Sequence, residues 1–133
     1  MIVLDSSAAV EWLLGRAASS VVAAHLADPD IAVHAPSLLG VEVASSLRRL
    51  VLGGYMPPSR GAMAIADLTA TDITLHDPTP LLPRAWELRA NLSAYDAVYV
   101  ALAELLGATL VTGDAHIARA PGTTAAVDVI PIG

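Results

Sequence analysis

The chain has no cysteine, phenylalanine or lysine, and only five of its 133 residues are aromatic. Without cysteine, neither a disulfide framework nor a thiolate metal site can form, which fits a cytoplasmic protein. Without phenylalanine, the 55% hydrophobic fraction rests on alanine, valine and leucine. This composition excludes disorder and predicts a core of small aliphatic side chains.

Long apolar runs are also missing. Proline, glycine or Glu104 interrupts each run well before the roughly 20 residues that a membrane span requires. The N-terminal run is short and no basic residue precedes it, so it does not have the pattern of a signal peptide. We therefore expect a cytoplasmic protein with no membrane segment. Neither a linker nor a repeat divides the chain, which predicts a single domain over residues 1–133.

Positive charge is scarce, and the net charge is −6. Taken alone, this argues against a polyanionic partner. All seven positive charges are arginines, however, and the planar guanidinium suits phosphate. The charge composition therefore does not exclude nucleic acid as a partner. The candidate contacts are Arg16, Arg48, Arg49, Arg84 and Arg89. The aromatic residues Trp12, Trp86, Tyr95 and Tyr99 lie in apolar helical patterns, which predicts core positions rather than base stacking.

Strand and helix patterns alternate along the chain. Strands are predicted over residues 2–4, 31–34, 73–76, 109–111 and 127–130. Helices are predicted over residues 8–14, 17–27, 38–52, 60–70, 79–91, 94–106 and 115–119. Serines precede several of these helices, and Ser6 or Ser7, Ser37 and Ser93 are the predicted N-caps. The alternation predicts an α/β fold whose central parallel sheet of four or five strands is flanked by helices.

Four of the thirteen acidic residues stand out by position. Asp5 and Asp114 each follow an apolar strand, and the carboxyl ends of parallel strands are where such sheets build their sites. Glu42 and Asp96 lie in the first turns of predicted helices. One edge of the sheet can therefore hold all four carboxylates, which repel one another strongly unless they share cations.

Each acid also has an ordinary explanation. Asp5 and Asp114 can cap helices or shape turns. Asp96 follows Ser93 at the spacing of a capping box, and Glu42 lies on the polar face of its helix. The conjunction of the four favours a metal site over these separate roles.

Carboxylate ligands without histidine or cysteine select Mg²⁺, or Mn²⁺, over zinc. The predicted catalytic and metal-binding residues are Asp5, Glu42, Asp96 and Asp114. The hydroxyl groups of Ser6 and Thr112 are predicted to orient these ligands.

Four segments together resemble a PIN-domain ribonuclease of the VapC type, the toxin half of bacterial VapBC toxin–antitoxin pairs. They are Ile2-Val3-Leu4-Asp5-Ser6-Ser7, Pro36 to Val43, Leu92 to Glu104, and Leu110-Val111-Thr112-Gly113-Asp114. The resemblance spans the whole chain in the family's order. By position, the four predicted acids match the family's acidic quartet and Thr112 matches its hydroxyl residue.

The resemblance implies a PIN-like α/β/α sandwich that hydrolyses RNA phosphodiester bonds with Mg²⁺ and acts as the toxin of a type II toxin–antitoxin system. It also implies a homodimer and a cognate VapB-like antitoxin as partners.

Three other readings remain at this stage. An aspartyl-phosphate phosphatase also places an aspartate after its first strand, but it needs a second aspartate where this chain has Ser7. A receiver-like regulatory Mg²⁺-binding domain needs paired acids there and a lysine, which this chain lacks. A non-catalytic binding module would use the acids merely as helix caps.

Overall fold

A computed structural model describes residues 1–132. Its five strands are β1 (Ile2–Leu4), β2 (Val33–Pro36), β3 (Thr74–His76), β4 (Thr109–Thr112) and β5 (Val127–Val129). The helices within these residues are α1 (Ser6–Leu13), α2 (Ser19–Ala27), α3 (Leu39–Leu52), α4 (Pro58–Ala70), α5 (Leu82–Glu87), α6 (Ala94–Leu106) and α7 (Ala115–Arg119), with a 3₁₀ turn at Thr79–Leu81.

The five strands form one parallel sheet in the order β3-β2-β1-β4-β5. The chain builds outward from β1 to β2 and β3, then returns to place β4 on the other side of β1. The strand order therefore reverses between β1 and β4, and open α/β sheets bind their ligands at the carboxyl ends of strands at such a point.

Helices cover both faces of this sheet. Because parallel crossovers are right-handed, the helices between β1 and β3 lie on one face and those between β3 and β5 on the other. Residues Ile2–Leu4 of β1 are buried, as are all residues from Ala97 to Ala103 of α6. The predicted α/β/α architecture with a parallel sheet is confirmed, with five strands.

Two helix caps and the continuity of one helix differ from the prediction. Asp5, rather than Ser6 or Ser7, caps α1, and α3 begins at Leu39 with no side-chain cap, so Ser37 does not cap it. The helix predicted over residues 79–91 divides into the 3₁₀ turn and α5, which ends at Glu87. Proline explains the division, because Pro83 has no N–H to donate to the preceding turn.

Two aromatic residues predicted to lie in the core are on the surface. Trp86 is 68% exposed and Tyr95 is 65% exposed, whereas Tyr99 is buried. The Arg89 guanidinium lies 4.8 Å from the centre of the Trp86 ring. The expectation that aromatic side chains avoid the surface is therefore wrong for Trp86 and Tyr95.

Across residues 1–132, none of the helices combines the length and the apolar character that crossing a membrane would require.

Candidate active site

The topology brings the four predicted acids to one edge of the sheet. Asp5 directly follows β1, and Asp114 lies two residues beyond β4, the strand paired with β1. Crossover helices run back against the strands, so α3 and α6 begin at that same carboxyl edge. Glu42 and Asp96 lie in the first turns of these two helices. The structure thus gathers acids from positions 5 to 114 around the switch point.

Asp5 is the most firmly held of the four. Its Oδ1 accepts hydrogen bonds from the Ser7 hydroxyl at 2.7 Å and from the Ala8 N–H at 3.0 Å. Its Oδ2 accepts a hydrogen bond from the Thr112 hydroxyl. The carboxylate is only 5% exposed, so these three donors fix its orientation. The helix-capping role and the position at the switch point therefore belong to the same side chain.

The residues that follow β4 belong to the same hydrogen-bond network. The fully buried Thr112 hydroxyl accepts a hydrogen bond from the Asp114 N–H at 3.0 Å, and Ser7 Oγ accepts one from the Gly113 N–H at 2.8 Å. Asp114 caps α7 by accepting from the His116 N–H at 2.9 Å. The ends of β1 and β4 are therefore linked through side chains as well as through the sheet.

The sequence pattern did not identify the serine that supports Asp5. Ser7 makes the hydrogen bond, whereas Ser6 makes no side-chain hydrogen bond to an acidic residue in the described part of the chain. Ser6 instead lines a groove beside Glu42. Two adjacent serines give the same composition signal, and only their places in the first turn of α1 distinguish them.

The carboxylates repel one another along the edge. Burial, opposed by hydrogen bonds and reinforced by the charge of Asp96, raises the pKa of Asp5. Burial, opposed by the Tyr99 hydroxyl and reinforced by the charges of Asp96 and Asp5, raises the pKa of Glu42. Burial and the nearby charge of Asp114 raise the pKa of Asp96. The site is thus a region of uncompensated negative charge, which favours a cation.

Glu42 and Tyr99 provide a second sign of missing compensation. The Oε1 atom of Glu42 and the hydroxyl of Tyr99 are both buried, and neither makes a well-aligned hydrogen bond. The Tyr99 hydroxyl nonetheless lies close enough to Glu42 to lower the pKa of that carboxyl through hydrogen bonding, and burial together with Glu42 raises the pKa of Tyr99. The hydrogen bonding of this buried carboxylate is therefore incomplete, which is costly, and a bound cation would complete it.

The carboxylates do not form a tight ligand cage. Within residues 1–132, no three histidine, aspartate or glutamate side chains converge closely enough to form a ready-made set of metal ligands. The donors are nonetheless the hard oxygens that Mg²⁺ takes. Asp5 is fixed in place, while Glu42, Asp96 and Asp114 are only partly buried. The donor chemistry of these residues therefore fits a divalent cation, which the four carboxylates would hold.

Asp96 does not complete the expected capping box. The Ser93 hydroxyl accepts a hydrogen bond from the Asp96 N–H at 3.2 Å, so Ser93 caps α6 as predicted. Among the described residues, no return bond runs from the Ser93 N–H to the Asp96 carboxylate. Capping therefore leaves this carboxylate available for another role.

Thr112 provides a test of how the network supports the site. Replacing it with valine keeps the shape but leaves Asp5 Oδ2 and the Asp114 N–H without their partner, which costs about 1–3 kcal/mol. We expect a lower melting temperature, while Thr112→Ser should stay near wild type. Thermal unfolding of both variants measures this. A valine variant that matches the serine variant would contradict it.

A parallel sheet with carboxylates at its switch point defines an α/β protein whose acidic site suits a divalent cation. The PIN domain family model matches residues 2–122. Ribonuclease VapC9 of Mycobacterium tuberculosis is 39% identical over 133 residues, covering 98% of this chain and 99% of the relative. Ribonuclease VapC1 of the same species is 36% identical over 129 residues, covering 96% of each.

A solved structure shows the same fold. It is that of VapBC2 from Rickettsia felis bound to a DNA fragment from their promoter, with a TM-score of 0.70 at 16% identity, covering 98% of this chain and 100% of that one. The chain belongs to the VapC ribonucleases of the PIN-domain family.

Proposed function

We propose that this chain is a Mg²⁺-dependent endoribonuclease and the toxin of a type II toxin–antitoxin system, working as a single PIN domain over residues 1–133. The observation that carries the proposal is the gathering of four carboxylates at the switch point. Three of them have raised pKa values. Several carboxyl groups with raised pKa values at one edge of a sheet are more typical of a functional site than of a purely structural one.

The proposed catalytic and metal-binding residues are Asp5, Glu42, Asp96 and Asp114. Mg²⁺ is the proposed ion, with Mn²⁺ as the alternative, because both prefer oxygen ligands. When bound, such ions supply the charge that activates a water molecule and stabilises the leaving oxygen of a phosphodiester.

The chain's own residues hold the site in place for that chemistry. Asp5, oriented by Ser7 and Thr112, is the fixed member. Glu42 has one buried oxygen that makes no well-aligned hydrogen bond, so we propose that it helps to accept the proton of the attacking water. No serine or cysteine nucleophile is needed, because water is the attacking group.

The other readings explain less of the site. A phosphatase needs its second aspartate at the position of Ser7, and here the Ser7 hydroxyl donates a hydrogen bond to Asp5 instead. A receiver-like domain needs a lysine, and this chain has none. Asp5 and Asp114 do cap helices, as a non-catalytic module would use them. Capping does not account for Glu42, whose carboxylate has a buried oxygen without a well-aligned hydrogen bond and a pKa that burial and the charges of Asp96 and Asp5 raise.

Two partners follow from the family. We propose a VapB-like antitoxin, supported by the VapBC2 structure of the same fold. We also propose a homodimer, supported by exposed apolar side chains such as Leu82, Trp86 and Leu105, and light scattering measures the oligomeric state. A protein that acts on cellular RNA works in the cytoplasm, which is the proposed location.

The test is incubation of the purified chain with total RNA in MgCl₂ or EDTA. We expect discrete fragments in MgCl₂, none in EDTA, and recovery when Mg²⁺ or Mn²⁺ is restored. Sequencing the fragment ends identifies the cleavage site. Intact RNA in every divalent-cation condition would overturn the proposed activity.

A further inference from the structure

A polar groove leads away from the carboxylates. It has a volume of about 330 Å³ and lies between α1, α3 and the start of α6. Its lining includes Ser6, Glu42, Ser45, Ser46, Arg49 and Tyr95. Glu42 places one end of the groove at the proposed catalytic edge. A molecule that lies along the groove therefore reaches the reacting centre.

The groove continues beyond Arg49. A second depression of about 370 Å³ shares Ser6, Ser46 and Arg49 with the first and adds Arg16 together with the buried Glu11. The track thus runs from a carboxylate to one arginine and then to another. An acidic site repels a polyanion, so a substrate of this kind needs local positive charge next to the carboxylates. Arg49 and Arg16 provide it along this track.

Arg49 is oriented but not neutralised. Its guanidinium donates to Ser46 Oγ at 3.1 Å and to Ser45 Oγ at 3.5 Å, both on its own helix. Among residues 1–132, no carboxylate lies within 4.0 Å of it. A guanidinium has five N–H donors, so donors remain for a phosphate, for which its planar fork is suited.

Two other candidate arginines are already engaged. Arg84 pairs with Glu104 at 3.0 Å and with Glu87 at 2.9 Å. Arg89 lies against the Trp86 ring and donates to the Trp86 carbonyl oxygen at 2.9 Å. Arg49 is therefore better suited to phosphate than either of these residues.

Tyr95 adds an aromatic surface to the same groove. It lies one residue before Asp96 in the first turn of α6, and its side chain is 65% exposed. Consecutive helix residues point about 100° apart, so Asp96 is half-buried toward the acidic edge while the Tyr95 ring faces outward. Exposed aromatic rings beside a phosphate-binding group are how proteins hold unpaired bases.

We propose that Tyr95 and Arg49 bind the nucleotide next to the scissile phosphate, with Tyr95 stacking on its base and Arg49 binding its phosphate. This inference rests on the proposed ribonuclease function and assigns two residues to it. Both act on binding and positioning, since neither belongs to the carboxylate set.

The test measures RNA binding without cleavage. Asp5→Asn protein is titrated into a fluorescent single-stranded RNA in MgCl₂, and anisotropy gives Kd. Adding Tyr95→Ala should weaken binding roughly tenfold, as expected for one lost stacking contact, while Tyr95→Phe should retain it. Adding Arg49→Gln should weaken binding and reduce the slope of log K against log salt by about 0.7, the value for one single-strand phosphate.

Matched controls are present in the same chain. Arg48, one of the candidate contacts predicted from the sequence, is an exposed neighbour of Arg49 on α3 but lines neither depression, so the groove assignment excludes it. Tyr55 is 81% exposed beyond the end of that helix. Arg48→Gln and Tyr55→Ala should leave binding and salt slope at the parent values. Because all four residues are exposed, unchanged melting temperatures should accompany every substitution.

A set of RNAs with one abasic nucleotide at successive positions locates the stacked base. We expect an abasic nucleotide at one position to weaken RNA binding by the parent protein roughly tenfold. The same RNA should bind the Tyr95→Ala protein no more weakly than intact RNA does, because the two changes remove the same contact. Equal Kd values for the parent, Tyr95→Ala and Arg49→Gln, or equal losses in the controls, would overturn the groove assignment. Cleavage by the wild-type chain, run in parallel, separates this failure from failure of the ribonuclease proposal.

Discussion

Replacing Asp5 with asparagine is expected to lower RNA cleavage at least about a thousandfold, which corresponds to losing several kcal/mol of charge stabilisation. The change removes the negative charge from the member of the four carboxylates that Ser7, Ala8 and Thr112 fix in place. Single-turnover cleavage of a defined RNA measures it. Activity within tenfold of wild type would contradict the assigned role of Asp5.

The fold should survive this substitution. The asparagine oxygen can still accept the hydrogen bonds from Ser7 and Ala8, and its NH₂ group can donate to Thr112 Oγ1. Asp5→Ala is the matched comparison, since it loses the helix cap, which typically costs about 1 kcal/mol. We therefore expect both variants to be inactive but only the alanine variant to melt clearly below wild type in thermal unfolding.

Divalent cations are expected to raise the melting temperature of the wild-type chain. Binding at about 100 times Kd adds about 2.7 kcal/mol to the free energy of unfolding, or roughly 10 °C for a chain of this size. Thermal unfolding with MgCl₂ or EDTA measures the shift. Glu42→Gln and Asp96→Asn should reduce it, and Glu87→Gln, which changes an exposed carboxylate paired with Arg84, should leave it unchanged.

The Glu42→Gln and Asp96→Asn variants should be more stable than wild type in EDTA at pH 7. Burial raises the pKa of Glu42 and Asp96, so the folded state favours their protonated forms. The stabilisation from protonation is present in acid and is lost as pH rises through the raised pKa values. The advantage of Glu42→Gln over wild type should therefore shrink as pH falls from 7 to 5. An advantage that grows over this range would show that charge repulsion is not its source.

The sequence predicted the sheet and its acidic edge well, for a physical reason. An apolar run that ends in a carboxylate specifies both a buried strand and the place where it leaves the sheet, as with Asp5 and Asp114. Parallel strands can be joined only by crossovers, so the first turns of α3 and α6 had to lie near that edge. These constraints are local in the sequence and strong in three dimensions.

The missed features depend on details that a pattern does not encode. Tyr95 lies in a helix that is apolar almost all round, so periodicity could not show that its first turn leaves the ring exposed. Ser6 and Ser7 are the same residue type, and they differ only in where their side chains point from the first turn of α1. How tightly the carboxylates converge depends on side-chain rotation, which the positions of the elements do not fix.

The placement of Glu42 and Asp96 on helices from opposite faces of the sheet would link the proposed activity to complete folding. If either helical layer detached, one carboxylate would leave with it and the remaining acids could not complete the reaction centre. A nascent or partly unfolded chain would then be harmless to the cell that makes it, and damage could begin only once both layers had closed over the sheet.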